Sequence, residues 1–404
     1  MLATFRALSN RSFALLWSGQ TISRLGDSVY TIALAWWVLQ QTGSATAMGA
    51  VLICATIPML AFLLFGGVAV DRFQRVRLML ASDLLRAALV SLIALLAVEQ
   101  WLALWQIFIV SALFGVVEAF FYPAYAAVIP EIMPTEFLPS ANALRSVSGQ
   151  VALLAGPAIA ATIIALSGVT LAFALDGLSF FISAACLLAV PKASKPDIPG
   201  EVDTGVLHDV RQGLGIVLHT PWLWITLAVA CASTLFLVGP AEAALPLLVK
   251  QRFGEQVGLY ALLTALAALG SLGAALWMGR FKRLRRRGLL IYGAWLIAGL
   301  MLLAIGLPLP AAGVSIAFFV QGAAFEVLGL AWINTLQEFI PGDLLGRVSS
   351  VDALVSSGLL PIGYGLAGVA ADHLGASLVF VLGGAISAAL IALGLLHPAI
   401  RALD

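Results

Sequence analysis

Apolar runs of about 20 residues and longer recur along this whole sequence and constrain it more than any other feature. Each is long enough to carry a helix across the hydrocarbon of a bilayer. In lipid every backbone polar group must find a partner inside the protein, which leaves helices or a closed barrel. Barrel strands alternate apolar and polar residues over about 10 positions, and the runs here are unbroken. Composition agrees, since 62% of the 404 residues are hydrophobic and only 10% charged. A soluble chain needs about 25% charged residues to cover its surface. The fold class that follows is all-α integral membrane.

The runs read as twelve transmembrane helices over 13–40, 46–69, 78–98, 103–126, 141–166, 169–190, 221–247, 257–279, 288–307, 310–336, 347–371 and 375–396. One long polar stretch, Pro191 to Thr220, separates the sixth from the seventh. It opens on a Pro- and Lys-rich linker and closes on Val206, Leu207, Val210, Leu214, Val217 and Leu218, an amphipathic spacing suited to a helix at the membrane surface. The expected organisation is an N-terminal bundle over 1–190, a cytoplasmic linker with an amphipathic helix over 191–220, and a C-terminal bundle over 221–404. Loops on one side hold Arg72, Arg75, Arg77, Arg145, Lys192, Lys195, Arg211, the basic run 280–287 and Arg347; the opposite loops hold only Lys250 and Arg252. The positive-inside rule puts both termini in the cytoplasm. Met1 to Arg11 shows no short apolar region followed by a cleavage site, so the first apolar run is expected to be a retained span. Cys54, Cys186 and Cys231 lie in apolar runs without metal-ligand spacing and read as small core residues.

The halves resemble each other. Pro134, Leu138, Gly168, Leu171, Phe173, Leu175 and Gly177 recur without a gap as Pro341, Leu345, Gly375, Leu378, Phe380, Leu382 and Gly384, at a constant offset (341 − 134 = 207). Glu131 and Glu338 keep it too. Two pseudo-symmetric six-helix bundles follow, a transporter design with the substrate site between the halves.

Three groups of residues resemble the major facilitator superfamily. The first is the loop Gly67-Val-Ala-Val-Asp71-Arg72-Phe-Gln-Arg75-Val-Arg77. The second is Gly156-Pro157 in the fifth span, followed by Ala160-Ala161 where the family's antiporters have glycines. The third comprises Leu16-Trp17-Ser18-Gly19-Gln20, Leu25-Gly26-Asp27, Ala141-Asn142-Ala143-Leu144 and Pro341-Gly342-Asp343-Leu344-Leu345-Gly346-Arg347-Val348, similar to the macrolide-efflux and enterobactin-exporter branch. The resemblance implies a bacterial cytoplasmic-membrane transporter working by alternating access. It also implies a conformational latch at Gly67, Asp71, Arg72, Arg75, Arg77, Gly156 and Pro157. Gly67, lacking a side chain, suits a close helix approach. Asp71 suits a helix N-terminus, plausibly that of the eleventh span. The arginines are candidates to pair with Glu131 or Asp352. The span 103–126 carries no arginine, unlike the best-known drug–proton antiporters.

A charge at the centre of a spanning helix costs roughly 2.5–3.5 kcal/mol on insertion scales, so such residues are rarely decorative. The first span carries Arg24 and Asp27 on one helical face, the third Asp83 and Arg86, the fourth Glu118 and the tenth Glu326. Asp176 and Glu242 lie nearer the outer ends of their spans. By the family's architecture Asp27, Glu118, Glu242 and Glu326 face the central cavity, with Arg24 beside Asp27, as candidate proton or cationic-substrate ligands. Asp83, Arg86 and Asp176 are more peripheral, Asp83 and Arg86 as a secondary ion pair. A permanent Arg24–Asp27 pair is the structural alternative. Aromatic residues on the same helices, among them Trp36, Trp37, Phe325 and Trp332, suit a large, poorly polar substrate.

The expected function is proton-coupled efflux of an amphipathic drug or metabolite. A siderophore exporter or lysophospholipid flippase of the same fold is the alternative. An enzyme or a channel is the rival from another class. No His-Glu-x-x-His, phosphate-cradling or nucleophile-elbow motif occurs, and His208, His219, His373 and His397 are scattered. The expected partners are a small amphipathic substrate, protons and the lipid bilayer, with no cofactor, metal or nucleic acid. A duplicated chain carries both halves and can work as a monomer.

Overall fold

A computed structural model describes residues 3–190, 206–281 and 284–403. The expected linker at 191–205 and the pair Lys282–Arg283 lie outside the described residues. Regular structure among the described residues is helical throughout. α1 (Arg11–Thr42) begins where the Asn10 side chain accepts the Phe13 N–H at 3.1 Å and stops at Gly43, whose φ of 63° is left-handed. α2 (Ala45–Arg72), α3 (Arg75–Val98), α4 (Leu104–Ile132) and α5 (Leu138–Leu188) follow. Next come α6 (Val206–His219), α7 (Pro221–Gly239), a π-helical turn over Pro240–Ala244, and α8 (Leu245–Phe253). The chain ends with α9 (Val257–Met278), α10 (Arg287–Gly306), α11 (Ala311–Phe339), α12 (Gly342–Gly358), α13 (Leu360–Leu374), α14 (Ala376–Leu395) and α15 (Pro398–Arg401).

Ten stretches among the described residues are long and apolar enough to cross a bilayer, against an expected twelve. α1 is not among them, because Gln20, Arg24, Asp27, Gln40 and Gln41 dilute its apolar character. The second difference is α5, continuous in hydrogen bonding but broken at Gly168. Gly168 has φ 77°, and its repeat partner Gly375, at the start of α14, has φ 87°. The repeat keeps glycine there because both corners need a left-handed backbone that other residues adopt at a cost.

Two compact units form. One comprises Met1–Gly43, Val51–Ile198 and Val257–Ala261; the other comprises Ser44–Ala50, Pro199–Gln256 and Leu262–Asp404. The same backbone contact serves each. A Cβ on Gly115 of α4 would lie 1.9 Å from the Ala55 carbonyl oxygen of α2, and one on Gly322 of α11 would lie 1.9 Å from that of Ala267 in α9. These glycines also obey the repeat (322 − 115 = 207). Such close approach replaces the hydrophobic effect, which lipid does not supply, with direct van der Waals packing.

Beside an apolar core, burial departs from that of a soluble protein in two ways. Leu166, Leu276, Ile316 and Leu393 are exposed, while Gln20, Asp83, Asp176 and Ser183 are buried. α6 exposes Leu214 and Leu218 and buries Val217 against Leu223, Leu336 and Val348.

Candidate functional site

In the first unit the polar centre is built on α3. The i, i+3 spacing brings Arg86 Nη2 to 2.5 Å from Asp83 Oδ1. Asp83 Oδ2 accepts from Ser183 Oγ of α5 at 2.7 Å and from Gln20 Nε2 of α1 at 3.2 Å. The Arg86 guanidinium lies between the rings of Phe121 and Phe180, at 4.2 and 4.4 Å. One ion pair thus ties four helices, with its lone pairs used by hydroxyl and amide donors and its cation faced by π-systems. The expected pair forms, in the packed core of the unit, and Asp176 is fully buried as well.

Arg24 does not pair with Asp27. It lies over the Tyr125 ring at 5.1 Å and donates to the Arg145 carbonyl oxygen at 3.3 Å, while Arg145 covers the same ring at 4.7 Å. Sharing a helical face allowed the pair, but Tyr125 of α4 offers the guanidinium a competing surface. Asp27 and Glu118 are partly buried and form no ion pair among the described residues. The charges in electrostatic reach of Asp27 are Arg86, Asp83 and Arg24, and those in reach of Glu118 are Asp27 and Arg86. Three of the candidate acids therefore share one field. Gly156 of α5 packs against Ser28, where a Cβ would fall 2.1 Å from its Oγ. α5 stays helical through Pro157, and its one non-helical residue is Gly168.

In the second unit Glu326 of α11 accepts from Ser271 Oγ of α9 at 2.5 Å. Glu242 is exposed on the π-helical turn, which opens on Pro240, a residue with no N–H to donate. A cavity of about 290 Å³ is lined by Trp295, Phe325, Trp332, Asp352 and Ser356, among others. Asp352 Oδ2 accepts from Trp332 Nε1 at 3.0 Å, and Oδ1 accepts from Ser356 Oγ at 3.3 Å. Sequence reasoning offered Asp352 to the loop arginines; its partners are an indole and a hydroxyl, in a pocket. The signal was weak, because Trp332 and Asp352 are 20 residues apart on different helices. Of the expected aromatics Phe325 and Trp332 reach this cavity, whereas Trp36 and Trp37 are buried in the core.

At the loop, Arg75 pairs with Glu131 at 3.4 Å and donates to the Ala127 carbonyl oxygen at 2.9 Å, while Arg72 and Arg77 are exposed. The repeat supplies an equivalent pair, Arg287 with Glu338 at 2.5 Å. Gly67 meets nothing within 4 Å; the close approach expected of it belongs to Gly66, where a Cβ would lie 1.9 Å from the Ala119 carbonyl oxygen. The Asp71 side chain is outside the described residues. One clasp escaped sequence reasoning altogether. Asp372 accepts from the Ala45 N–H at 2.7 Å, the Thr46 N–H at 3.0 Å and the Ser44 hydroxyl, capping the start of α2.

A model of the transmembrane secretion effector family matches residues 2–403. Macrolide efflux protein A of Streptococcus pyogenes is 27% identical over 379 residues, covering 92% of this chain and 92% of that protein. Multidrug efflux pump Tap of Mycolicibacterium fortuitum is 28% identical over 391 residues, covering 94% of each. Among solved structures, the nucleoside transporter NupG matches with a TM-score of 0.73 at 12% identity, over 95% of this chain and 98% of that one. A bacterial homologue of the iron transporter ferroportin, in an inward-facing state, matches with a TM-score of 0.73 at 14% identity, over 96% and 99%. At those identities the structures speak for the fold alone.

Proposed function

Because the chain belongs to the transmembrane secretion effector family of major facilitator transporters, we propose that it exports an amphipathic compound in exchange for protons, by alternating access of its two halves. It is a multi-pass membrane transporter and not an enzyme. The observation that carries the finer reading is the second unit's pocket. Trp295, Phe325 and Trp332 offer aromatic surface, and the Asp352 carboxylate, held by Trp332 and Ser356, offers one fixed anion. That combination suits an apolar body bearing a single amine. At about 290 Å³ the cavity is at the lower end of ligand pockets, which run from about 300 to 1,000 Å³. It accommodates the amine-bearing part of a larger molecule, and the similarity to macrolide and multidrug efflux proteins supports such a cargo.

Asp27, Glu118 and Glu326 are the candidate proton carriers, with Glu242 as a further cavity acid. The setting is the bacterial cytoplasmic membrane with both termini inside, and the working unit is the monomer. Proteoliposome flux of lipophilic cations and macrolide-like compounds, with and without an imposed pH gradient, tests this. Wild type is compared with Asp27→Asn, Glu118→Gln and Glu326→Gln. Gradient-driven flux that at least one substitution abolishes is expected. Flux that ignores the gradient and survives all three overturns proton exchange and turns attention to siderophores and lysolipids.

A further inference from the structure

Asp83 and Asp176 are both fully buried in the first unit, yet they are served very differently. Asp83 has an arginine, a serine and a glutamine. Asp176, in the second half of α5, has only the Ser179 hydroxyl at 3.3 Å from Oδ1. That hydroxyl makes its shorter bond, 2.7 Å, to the Asp176 carbonyl oxygen. Oδ2 is buried with no hydrogen-bond partner among the described residues.

The neighbouring helix makes room for this carboxyl without serving it. α1 passes at Gly26, where a Cβ would lie 2.4 Å from Asp176 Oδ1 and 2.3 Å from Ser179 Oγ. Any side chain at 26 would occupy the carboxyl's space, and glycine brings no donor. The charged and titratable groups in electrostatic reach of Asp176 are Asp27 and Tyr30 from α1 and Arg86 from α3, with Glu118 of α4 and Asp83 in the same field. Arg86 is the cation in reach of Asp176, and it is already held by Asp83 at 2.5 Å.

A buried carboxylate with one long donor contact and a cation already held by another acid is costly, whereas a carboxyl carrying a proton is neutral and leaves only a hydroxyl to satisfy. Beside Gly26, on the partly buried side, stands Asp27. We propose that Asp176 is a proton-binding site of the transport cycle, loaded and unloaded through Asp27 across the side-chain-free contact at Gly26. This rests on the proton-exchange reading of the transporter. It adds an acid that the expected cavity set of Asp27, Glu118, Glu242 and Glu326 leaves out.

The test is infrared spectroscopy of the full chain in lipid nanodiscs, following the carbonyl stretch of protonated carboxyls as pH is stepped. A band in the wild type that is absent from Asp176→Asn is the expected result, and an unchanged band overturns the site. Asparagine mimics the protonated acid in shape. Should it not fold, Asp176→Glu carries the test: a shifted band supports the site and an unshifted one overturns it. Proteoliposome flux is measured alongside. Asp176→Asn is expected to keep substrate exchange and lose gradient-driven efflux. Gradient-driven efflux at the wild-type rate in Asp176→Asn sinks the site and leaves antiport standing. A wild type without gradient-driven efflux sinks antiport instead, and with it the transport role of the site.

Discussion

The first unit places its intramembrane acids around an arginine: Asp83 grips Arg86, and Asp27, Glu118 and Asp176 lie within the reach of its charge. In the second unit three acids are served by neutral donors. Glu326 takes a serine, Asp352 an indole and a serine, and Asp372 the first N–H groups of α2. Yet the backbones follow one plan, with glycines at 115 and 322, at 168 and 375, and at 177 and 384 doing equivalent jobs. Duplication has preserved what close helix packing demands and released what charge chemistry requires. Under the antiport proposal the first unit carries most of the candidate proton acids, and the second adds Glu326 and the cargo pocket.

Breaking the charge centre of the first unit should have the largest effect. Arg86→Met strands Asp83 at the core, at a cost of about 3–5 kcal/mol, and Asp83→Leu strands Arg86 at a similar cost. The double variant removes both charges and should recover much of that loss. Thermal unfolding in detergent reads all three; singles that unfold like wild type would show that the cluster does not hold the unit together. Glu326, Asp352 and Asp372 should not behave this way, because removing any of those three leaves no buried cation behind.

Next comes the backbone plan. Gly115→Leu and Gly322→Leu each push a side chain into a carbonyl 1.9 Å from the Cβ position. Overpacking of this kind costs about 1–3 kcal/mol or more. Equal losses of folded yield would confirm that both contacts bear the same load, and a large inequality would break the symmetry that the repeat suggests.

The pocket sharpens the contrast in function. Asp352→Asn keeps an acceptor for Trp332 but removes the anion, so binding of a lipophilic amine should weaken about tenfold, or ~1.4 kcal/mol. A neutral analogue of the same shape should bind unchanged. Quenching of tryptophan fluorescence measures both, and equal losses for the two ligands would mean that the pocket reads shape and not charge.

These contrasts mark how far the sequence could be read. Helices, repeat and family were legible because lipid forces long apolar runs and because corners such as Gly168 and Gly375 tolerate no other residue cheaply. The Asp83–Arg86 pair was legible because it is local, three residues apart on one helix. Asp352 with Trp332, Arg24 over Tyr125, Gly26 beside Asp176 and Asp372 at the start of α2 were not. Each joins separate helices, and hydropathy carries no information on how a helix is rotated about its axis. Gly66 and Gly67 make the point most sharply: adjacent glycines are about 100° apart on a helix, and only one of them meets α4.

The smallest expected effect compares one repeated pair with its copy. Arg75–Glu131 is well buried on both sides, with side chains 16% and 9% exposed, whereas Arg287 is 5% exposed but its partner Glu338 is 63% exposed. Glu338 is solvated with or without its arginine, and glutamine keeps one oxygen for the buried Arg287, so Glu338→Gln should change stability by about 1 kcal/mol or less. Glu131→Gln removes the charge of a carboxylate that is itself only 9% exposed and leaves Arg75 a single neutral oxygen, and should cost about 1–2 kcal/mol. Measured by thermal shift in the same detergent, with salt raised as a check, the Glu338 effect should fade with ionic strength and the Glu131 effect should persist. The reverse order would mean that the loop of the first unit is open to water, and that the two pairs differ in geometry but not in role.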